Sequence, residues 1–318
     1  MSLLGTMYGL AVSARNHLYD RGTLRARPLP GPVISVGNIS AGGAGKTPFV
    51  ILLGELLQQR GIAFDVLSRG YGRRTPGVLL VDPNGSAKNF GDEPLLIARR
   101  LGCPVVVGES RYEAGVFAEN KFGPRLHILD DGFQHRSLAR DFDIVLLTPE
   151  DTGDNLLPTG RLREPLASIS RADAVVISGD IDTSALPHGK PVWRIRRAIA
   201  VANAPPRPVV FCGIARPRKF VEQLEQSEIR PVTQKFYRDH HPYSDGDIEE
   251  LIRLKDRNQA GGFITTGKDA VNLGPGLAKL GTVAVAQVTM EFVEPADPLD
   301  AILRTITDRK GGHEKISG

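Results

Sequence analysis

The stretch Gly37-Asn-Ile-Ser-Ala-Gly-Gly-Ala-Gly-Lys-Thr-Pro48 constrains this chain more than any other. Ahead of it, Pro32-Val-Ile-Ser-Val36 has the length and apolarity of a buried strand. Behind it, Phe49-Val-Ile-Leu-Leu-Gly-Glu-Leu-Leu57 reads as a helix packed on a core. Strand, glycine-rich loop and a Lys-Thr pair opening a helix are the parts of a phosphate-binding P-loop. The glycines let backbone N–H groups converge on an anion, and the helix N-terminus adds positive potential. Ser40, Ala41, Gly42, Gly43, Ala44, Gly45, Lys46 and Thr47 are therefore the expected nucleotide cradle, with Lys46 on the β- and γ-phosphates and the Thr47 hydroxyl on Mg²⁺. Ser40 stands where the general pattern has glycine, and Gly42, Gly43 and Gly45 supply the flexibility. Pro48 suits a first helical turn, where a missing N–H costs nothing.

The downstream pattern repeats strand and helix. Ala63-Phe-Asp-Val-Leu67 reads as a strand feeding the loop Ser68-Arg-Gly-Tyr-Gly72, and Val78-Leu-Leu-Val81 with the Asp82-Pro-Asn-Gly85 turn as a hairpin-like insertion. Gly91-Asp-Glu-Pro94 opens a helix, where an Asp ordinarily serves as a cap. Pro104-Val-Val-Val107 is a further strand, followed by Gly108-Glu-Ser-Arg-Tyr112 and a helix ending near Lys121. Leu126-His-Ile-Leu-Asp-Asp131 is an apolar strand ending in an acidic pair, the form of a Mg²⁺-handling element downstream of a P-loop. Gly132-Phe-Gln-His-Arg136 adds an amide, an imidazole and a guanidinium beside it. The alternation predicts an α/β fold, a P-loop NTPase-type, mainly parallel sheet flanked by helices, with its ligands at the C-terminal edge of the strands.

At 318 residues the chain suits two lobes. Residues 1–28 are expected to form an N-terminal amphipathic helix, 29–190 a P-loop domain, and 191–318 a linker and a smaller α/β lobe. The second lobe rests on Val209-Val-Phe-Cys212, Phe263-Ile-Thr-Thr266 and Thr282-Val-Ala-Val-Ala-Gln-Val288, with helices near Pro217 and Asp245. Adjacent residues rarely ligate one ion together, so His240-His241 with no Cys or third His nearby does not read as a metal centre. Cys103 and Cys212 lack metal-ligand spacing and read as core thiols of a reducing compartment. No apolar run approaches the roughly 20 residues that span a bilayer.

The opening segment lacks the basic n-region and cleavage site of a secretory signal. Leu3, Met7, Leu10, Ala14 and Leu18 recur at helical spacing, with Arg15, Arg21, Arg25 and Arg27 following. Packing on its own domain and docking on an anionic membrane both remain open for such a helix. The net charge of +4 comes with arginine clusters, but aromatics are only 6% and no nucleic-acid motif accompanies them. Nucleic acid is therefore not the expected partner.

In one order along most of the chain, Val36-Gly-Asn-Ile-Ser-Ala-Gly-Gly-Ala-Gly-Lys-Thr-Pro48, Ser68-Arg-Gly-Tyr-Gly72, Gly91-Asp-Glu-Pro94, Asp130-Asp-Gly-Phe-Gln-His135, Leu162-Arg-Glu-Pro165, Asp239-His240 and Thr265-Thr-Gly-Lys-Asp269 resemble the tetraacyldisaccharide 4′-kinase family, the lipid A 4′-kinases of Gram-negative bacteria. The sequence departs at Gly267, where the family usually has a bulkier residue. The resemblance implies a peripheral enzyme of the inner membrane's cytoplasmic face. It would move the γ-phosphate of ATP, with Mg²⁺, onto the 4′-hydroxyl of an acylated disaccharide 1-phosphate lipid. Carried over by position, Lys46 and Thr47 serve the phosphates and metal. Asp92 paired with His240 is the base, with Asp131 the next candidate. Asp130, Asp131 and Gln134 organise Mg²⁺, while Asn16, Arg69, Tyr71, Arg111, His135, Arg163 and Glu164 line the substrate side. The rival is a P-loop GTPase or metallochaperone-like nucleotide switch, but Thr266-Gly-Lys-Asp269 has the wrong spacing for guanine recognition.

Overall fold

The apolar runs that flank the P-loop become strands buried along their whole length, as strands covered by helices on both faces must be. The computed structural model describes residues 3–179, 181–186, 189–294 and 297–314. In chain order the strands are β1 (Val33–Asn38), β2 (Phe64–Ser68), β3 (Leu79–Leu80), β4 (Val105–Val107), β5 (Leu126–Asp130), β6 (Phe142–Leu147), β7 (Ala174–Ser178), β8 (Val192–Ala200), β9 (Val209–Cys212), β10 (Thr233–Phe236), β11 (Phe263–Thr266) and β12 (Val283–Glu294). The helices are α1 (Leu3–Asp20), α2 (Lys46–Gln59), α3 (Ala87–Phe90), α4 (Asp92–Leu101), α5 (Arg111–Phe122), α6 (Pro217–Gln226), α7 (Asp245–Arg257), α8 (Gly267–Leu273) and α9 (Leu299–Glu314).

The twelve strands of the described residues join in one sheet, ordered β10-β9-β11-β12-β8-β7-β6-β1-β5-β2-β4-β3. From β7 to β4 neighbouring strands are parallel, and β3 closes that edge antiparallel to β4, which is what the expected hairpin-like insertion becomes. The chain runs outward from β1 to β2 and β4, then returns through β5 to β6 and β7 on the other side. Strand order thus reverses about β1, and open α/β sheets bind ligands outside such a reversal.

The other half holds β9, β10 and β11 with α6, α7 and α8. One strand serves both halves: Phe263–Thr266 of β11 pairs in parallel with the start of β12, whose remainder pairs antiparallel with β8. Of the stretch from 191 to the expected lobe strand at Val209, residues 192–200 form β8. Their alternation explains it: Trp193 and Ile195 are buried while Arg194 and Arg196 face outward. Trp193 stacks on Phe142 at 6.0 Å and meets Phe292 edge-on, and α9 returns to the same core through Leu299, Ile302 and Ile306. Within 191–318, β8 and α9 therefore pack with the P-loop half.

On α1 the buried side is Asn16 and Gly5, with Tyr8 and Gly9 half-buried. A Cβ at Gly9 would stand 2.8 Å from Leu156 Cδ1, so glycine sets how closely the helix rests on the loop beneath it. Met7 and Leu10 are 60% and 66% exposed, and Leu18 is exposed as well. The side chain of Leu3 lies outside the described residues. Cys212 is buried and Cys103 half-buried, neither in a disulfide.

Candidate active site

β1 delivers Asn38 to the sheet's C-terminal edge, and the loop that follows adopts left-handed backbone at Gly42, Gly43 and Gly45 before α2 begins at Lys46. A side chain there would be strained and crowded: a Cβ on Gly43 would stand 2.7 Å from Arg216 Nε, and one on Gly45 2.6 Å from Met290 Cε. The loop is thus pressed against the second half of the molecule. Lys46 Nζ donates to Asn38 Oδ1 at 3.0 Å and lies 3.4 Å from Asp131 Oδ1.

The two aspartates at the end of β5 meet different surroundings. Asp130 is buried; its Oδ2 accepts from Ser68 Oγ at 3.0 Å, and its Oδ1 has no hydrogen-bond partner among the described residues. Burial, with the nearby charges of Glu93 and Asp131, pushes its carboxyl up to about 7. Asp131 sits in left-handed backbone and turns toward basic groups. Burial works to raise its pKa too, but Lys46 and Arg163 outweigh it and hold the carboxyl well below the usual range. Arg163 forks onto Asp131 at 3.1 and 2.9 Å, and its Nε donates to the Ser40 carbonyl at 3.1 Å. This planar two-point contact ties the acidic pair to the P-loop.

Gln134 Nε2 donates to the Asn38 carbonyl at 2.9 Å, and its buried Oε1 has no partner among the described residues. The orphaned oxygens of Asp130 and Gln134, with the Asp131 carboxylate and the Thr47 hydroxyl, are hard donors around one cleft. Among the described residues no group of three or more His, Cys, Asp or Glu side chains could hold a metal. Mg²⁺ needs no such cage, since it is held through one or two carboxylates together with substrate phosphates. The residues fit that ion.

Across the cleft, His240 follows β10 in left-handed backbone, and its Nδ1 lies 2.8 Å from Asp92 Oδ2 and 3.0 Å from Oδ1. Asp92 is the first residue of α4 and makes no capping bond; Gly91 occupies the cap position. Its oxygens instead accept from the Glu93 N–H at 2.9 Å and Asn272 Nδ2 at 3.1 Å. Burial would raise the Asp92 pKa, but the His240 hydrogen bond and the Lys268 charge outweigh it and hold it below the usual value. The bond to Asp92 raises the His240 pKa against the effect of burial. His240 lines the cleft, whereas Asp92 is 3% exposed and lies behind it.

The cleft has a volume of about 990 Å³ and takes in Arg69, Tyr71, Arg111, His135 and Arg163. Arg111 is buried beneath it, and burial lowers its pKa to about 10. Burial and then the Arg111, Arg140 and Arg15 charges lower His135 to about 4, leaving a neutral ring bonded to Ser137 Oγ at 2.9 Å. Asn16 and Glu164, expected to line the substrate side, are not on the cleft wall. They bond each other at 2.7 Å in the interior, where Arg171 pairs with Glu164. A buried carboxylate needs such partners, and these join α1 to the segment carrying Arg163. Several groups at the site carry no role from the sequence: Ser68 and Arg15 on the cleft wall, with Arg197, Arg216 and Lys219 from the other half, and Asn38 buried behind it. Arg15 donates to the Gln134 carbonyl at 2.8 Å. Asn38 and Ser68 do lie within the quoted motifs, but a polar residue ending a strand carries no signal of what it faces.

A family model for LpxK, tetraacyldisaccharide-1-P 4′-kinase, matches residues 1–307. The chain belongs to the tetraacyldisaccharide 4′-kinase family. One member, the tetraacyldisaccharide 4′-kinase of Koribacter versatilis, is 47% identical over 324 residues, covering 98% of this chain and 100% of that protein. The family's enzyme from Aquifex aeolicus is 39% identical over 285 residues, covering 84% and 87%. A crystal structure of LpxK from Aquifex aeolicus in complex with ATP matches with a TM-score of 0.78 at 35% identity, covering 95% of this chain and 97% of that one. Membership in this kinase family disfavours the nucleotide-switch alternative, and the α/β architecture is the one the P-loop and its strands led us to expect.

Proposed function

We propose that this cleft transfers the γ-phosphate of ATP to the 4′-hydroxyl of tetraacyldisaccharide 1-phosphate. The observation that carries the reading is the meeting, around one cleft, of the P-loop, the acidic pair and the cross-cleft pair Asp92–His240. Residues 40–47 cradle the phosphates, and Lys46 neutralises the charge that develops on transfer. Thr47, Asp130, Asp131 and Gln134 would hold Mg²⁺, which supplies further neutralisation when bound. Arg163 keeps Asp131 in place against the P-loop, and the Asn16–Glu164 contact buttresses the segment that carries it.

The pair Asp92–His240 takes the hydroxyl proton as a unit. The family resemblance makes Asp92 the base and His240 its support; the burial of Asp92 and the place of His240 on the cleft wall favour the opposite order. His240 faces the cleft with Nδ1 committed to Asp92, so the imidazole meets the acceptor and the carboxylate holds the ring and stabilises its charge. Arg69, Tyr71, Arg111 and His135 shape the pocket for an anionic disaccharide. The acceptor's acyl chains would stay in the bilayer. The exposed side chains of Leu4, Met7 and Leu10, with Arg21 and Arg25 beyond, support docking of α1 on the cytoplasmic face of the inner membrane. Among the described residues no helix is long and apolar enough to cross a membrane.

The test is incubation with labelled ATP, Mg²⁺ and tetraacyldisaccharide 1-phosphate, followed by lipid extraction. Label in the lipid fraction is expected. Its absence from a protein that binds ATP would overturn the reading.

A further inference from the structure

Thr265-Thr-Gly-Lys-Asp269 stands out in the sequence, yet none of its side chains has a part in the mechanism above. It ends β11 and opens the short helix α8. An Asp three residues after a Thr ordinarily completes a helix start, and Thr266 Oγ does accept from the Asp269 N–H at 3.2 Å. That role needs only an exposed carboxylate. Asp269 is instead fully buried, and its Oδ1 turns away from its own helix. It accepts from the Gly213 N–H at 2.7 Å and the Tyr243 hydroxyl at 2.8 Å. The carbonyl of Gly213 in turn accepts from the His240 N–H at 3.1 Å. A Cβ on Gly213 would stand 2.8 Å from the Arg238 carbonyl, so the 238–241 turn rests directly on this backbone.

One turn further along α8, Asn272 donates to Asp92 Oδ2 at 3.1 Å, the same oxygen that His240 Nδ1 approaches. Ahead of both on the helix, Lys268 pairs with Glu93, the neighbour of Asp92. Three side chains of one short helix thus reach both members of the cross-cleft pair or their supports. We propose that α8 is the positioning element of the Asp92–His240 pair: Asn272 fixes the carboxylate, and Asp269, through Gly213, fixes the turn that carries the imidazole. The proposal rests on the reading of that pair as the base.

The chemistry suits the task. An amide carries no charge, so Asn272 orients Asp92 without competing with His240 as an ion-pair partner. It also shares the negative charge of Asp92. Removing it would concentrate that charge on the bond to His240 and make the pair hold its proton more tightly.

The test uses the full chain with Asn272→Ala, Asn272→Asp and Asp92→Ala, reading kcat, the KM for ATP, the pH profile and the thermal midpoint. A hydrogen bond to a charged group is worth enough that Asn272→Ala should lower kcat by about tenfold or more. The KM for ATP should stay within about twofold, because the helix makes no part of the phosphate cradle. The acidic limb of the profile should move up by about one pH unit. Asn272→Asp keeps the shape of the side chain but sets a second carboxylate against Asp92, and should move the limb further in the same direction. Asn272→Ala with unchanged kcat and an unmoved limb, beside an inactive Asp92→Ala, would overturn the proposal alone. An active Asp92→Ala would overturn the reading of the pair and this inference with it. If Asn272→Ala does not fold, an unmoved limb in Asn272→Asp would overturn the inference, and a moved one would support it.

Discussion

His240 Nδ1 lies 2.8 Å from Asp92 Oδ2, a contact that joins a turn of the second half to the first residue of α4 in the P-loop half. Two residues that act as one base give non-additive losses. Asp92→Ala and His240→Ala should each lower kcat by about 10²-fold or more, and the double variant should lose little beyond the worse single one. Turnover of the four proteins checks this; additive losses would separate the residues and make Asp131 the next candidate.

The same pair sets a pH window. The His240 pKa is raised, so its contribution to stability is fully present below the ordinary histidine value and is lost as pH rises through the raised one. The Asp92 pKa is lowered, so its contribution is lost as pH falls through the lowered value. Thermal midpoints of the parent chain and His240→Ala should therefore differ most between those limits and converge on either side.

Lys46→Ala should remove at least about 10²-fold in turnover while leaving the fold in place. Among the described residues its ammonium meets Asn38 Oδ1 and Asp131 Oδ1, polar partners rather than core side chains. Turnover and thermal midpoint measured together decide the matter, and near-normal turnover would remove the P-loop lysine from the mechanism.

Local signals carried much of this architecture, and their limits are physical. The buried strands β1, β5 and β6 are legible because both faces are covered and the residues run apolar without interruption. β8 is not, because one face meets solvent and its arginines break the run; pairing with β7 on one side and β12 on the other makes it a strand. The P-loop is local and visible at once. The positions of Asp92, His240 and Asn272 within one hydrogen-bonded group are not, since they lie 148 and 180 residues apart in the chain. Resemblance to a family joined Asp92 with His240, but only the fold shows which of them faces the cleft and that Asn16 and Glu164 face inward.

Away from the cleft, His127 on β5 is enclosed between two acids. Its Nδ1 lies 2.7 Å from Asp65 Oδ1 and its Nε2 3.3 Å from Glu119 Oε1, which also accepts the Gly31 N–H at 2.6 Å. Burial works to lower the imidazole pKa, but Asp65 and Glu119 outweigh it and raise the value. His127→Leu would leave the buried Asp65 carboxylate without its partner, and the half-buried Glu119 with the Gly31 N–H alone, and should destabilise the protein by about 3–5 kcal/mol. The raised pKa means that this stabilisation is fully present below the ordinary histidine value and falls as pH climbs through the raised one. Denaturant unfolding of both proteins across that range checks it, and a difference that does not shrink with pH would show that packing rather than charge holds the site.

α1 touches the segment that carries Arg163 on one side and faces solvent on the other. Removing the helix would be an ambiguous test, because it would also remove the Asn16 contact to Glu164 and the Tyr8 hydroxyl that donates to the Arg163 carbonyl at 3.1 Å. Activity would fall whether or not the helix meets a membrane. Met7 and Leu10 allow a cleaner experiment, since they are 60% and 66% exposed and contribute little to the folded core. Met7→Glu/Leu10→Glu should leave the thermal midpoint and turnover on detergent-dispersed substrate nearly unchanged. Burying one such side chain in an apolar phase is worth about 1.5–3 kcal/mol, so vesicle binding should weaken by at least about tenfold. Basic residues near an anionic surface add about 1 kcal/mol each, and this part should fade with salt. Flotation with anionic vesicles at low and high salt reads both effects. Equal flotation of the two proteins would show that the exposed apolar side of α1 does not meet the membrane.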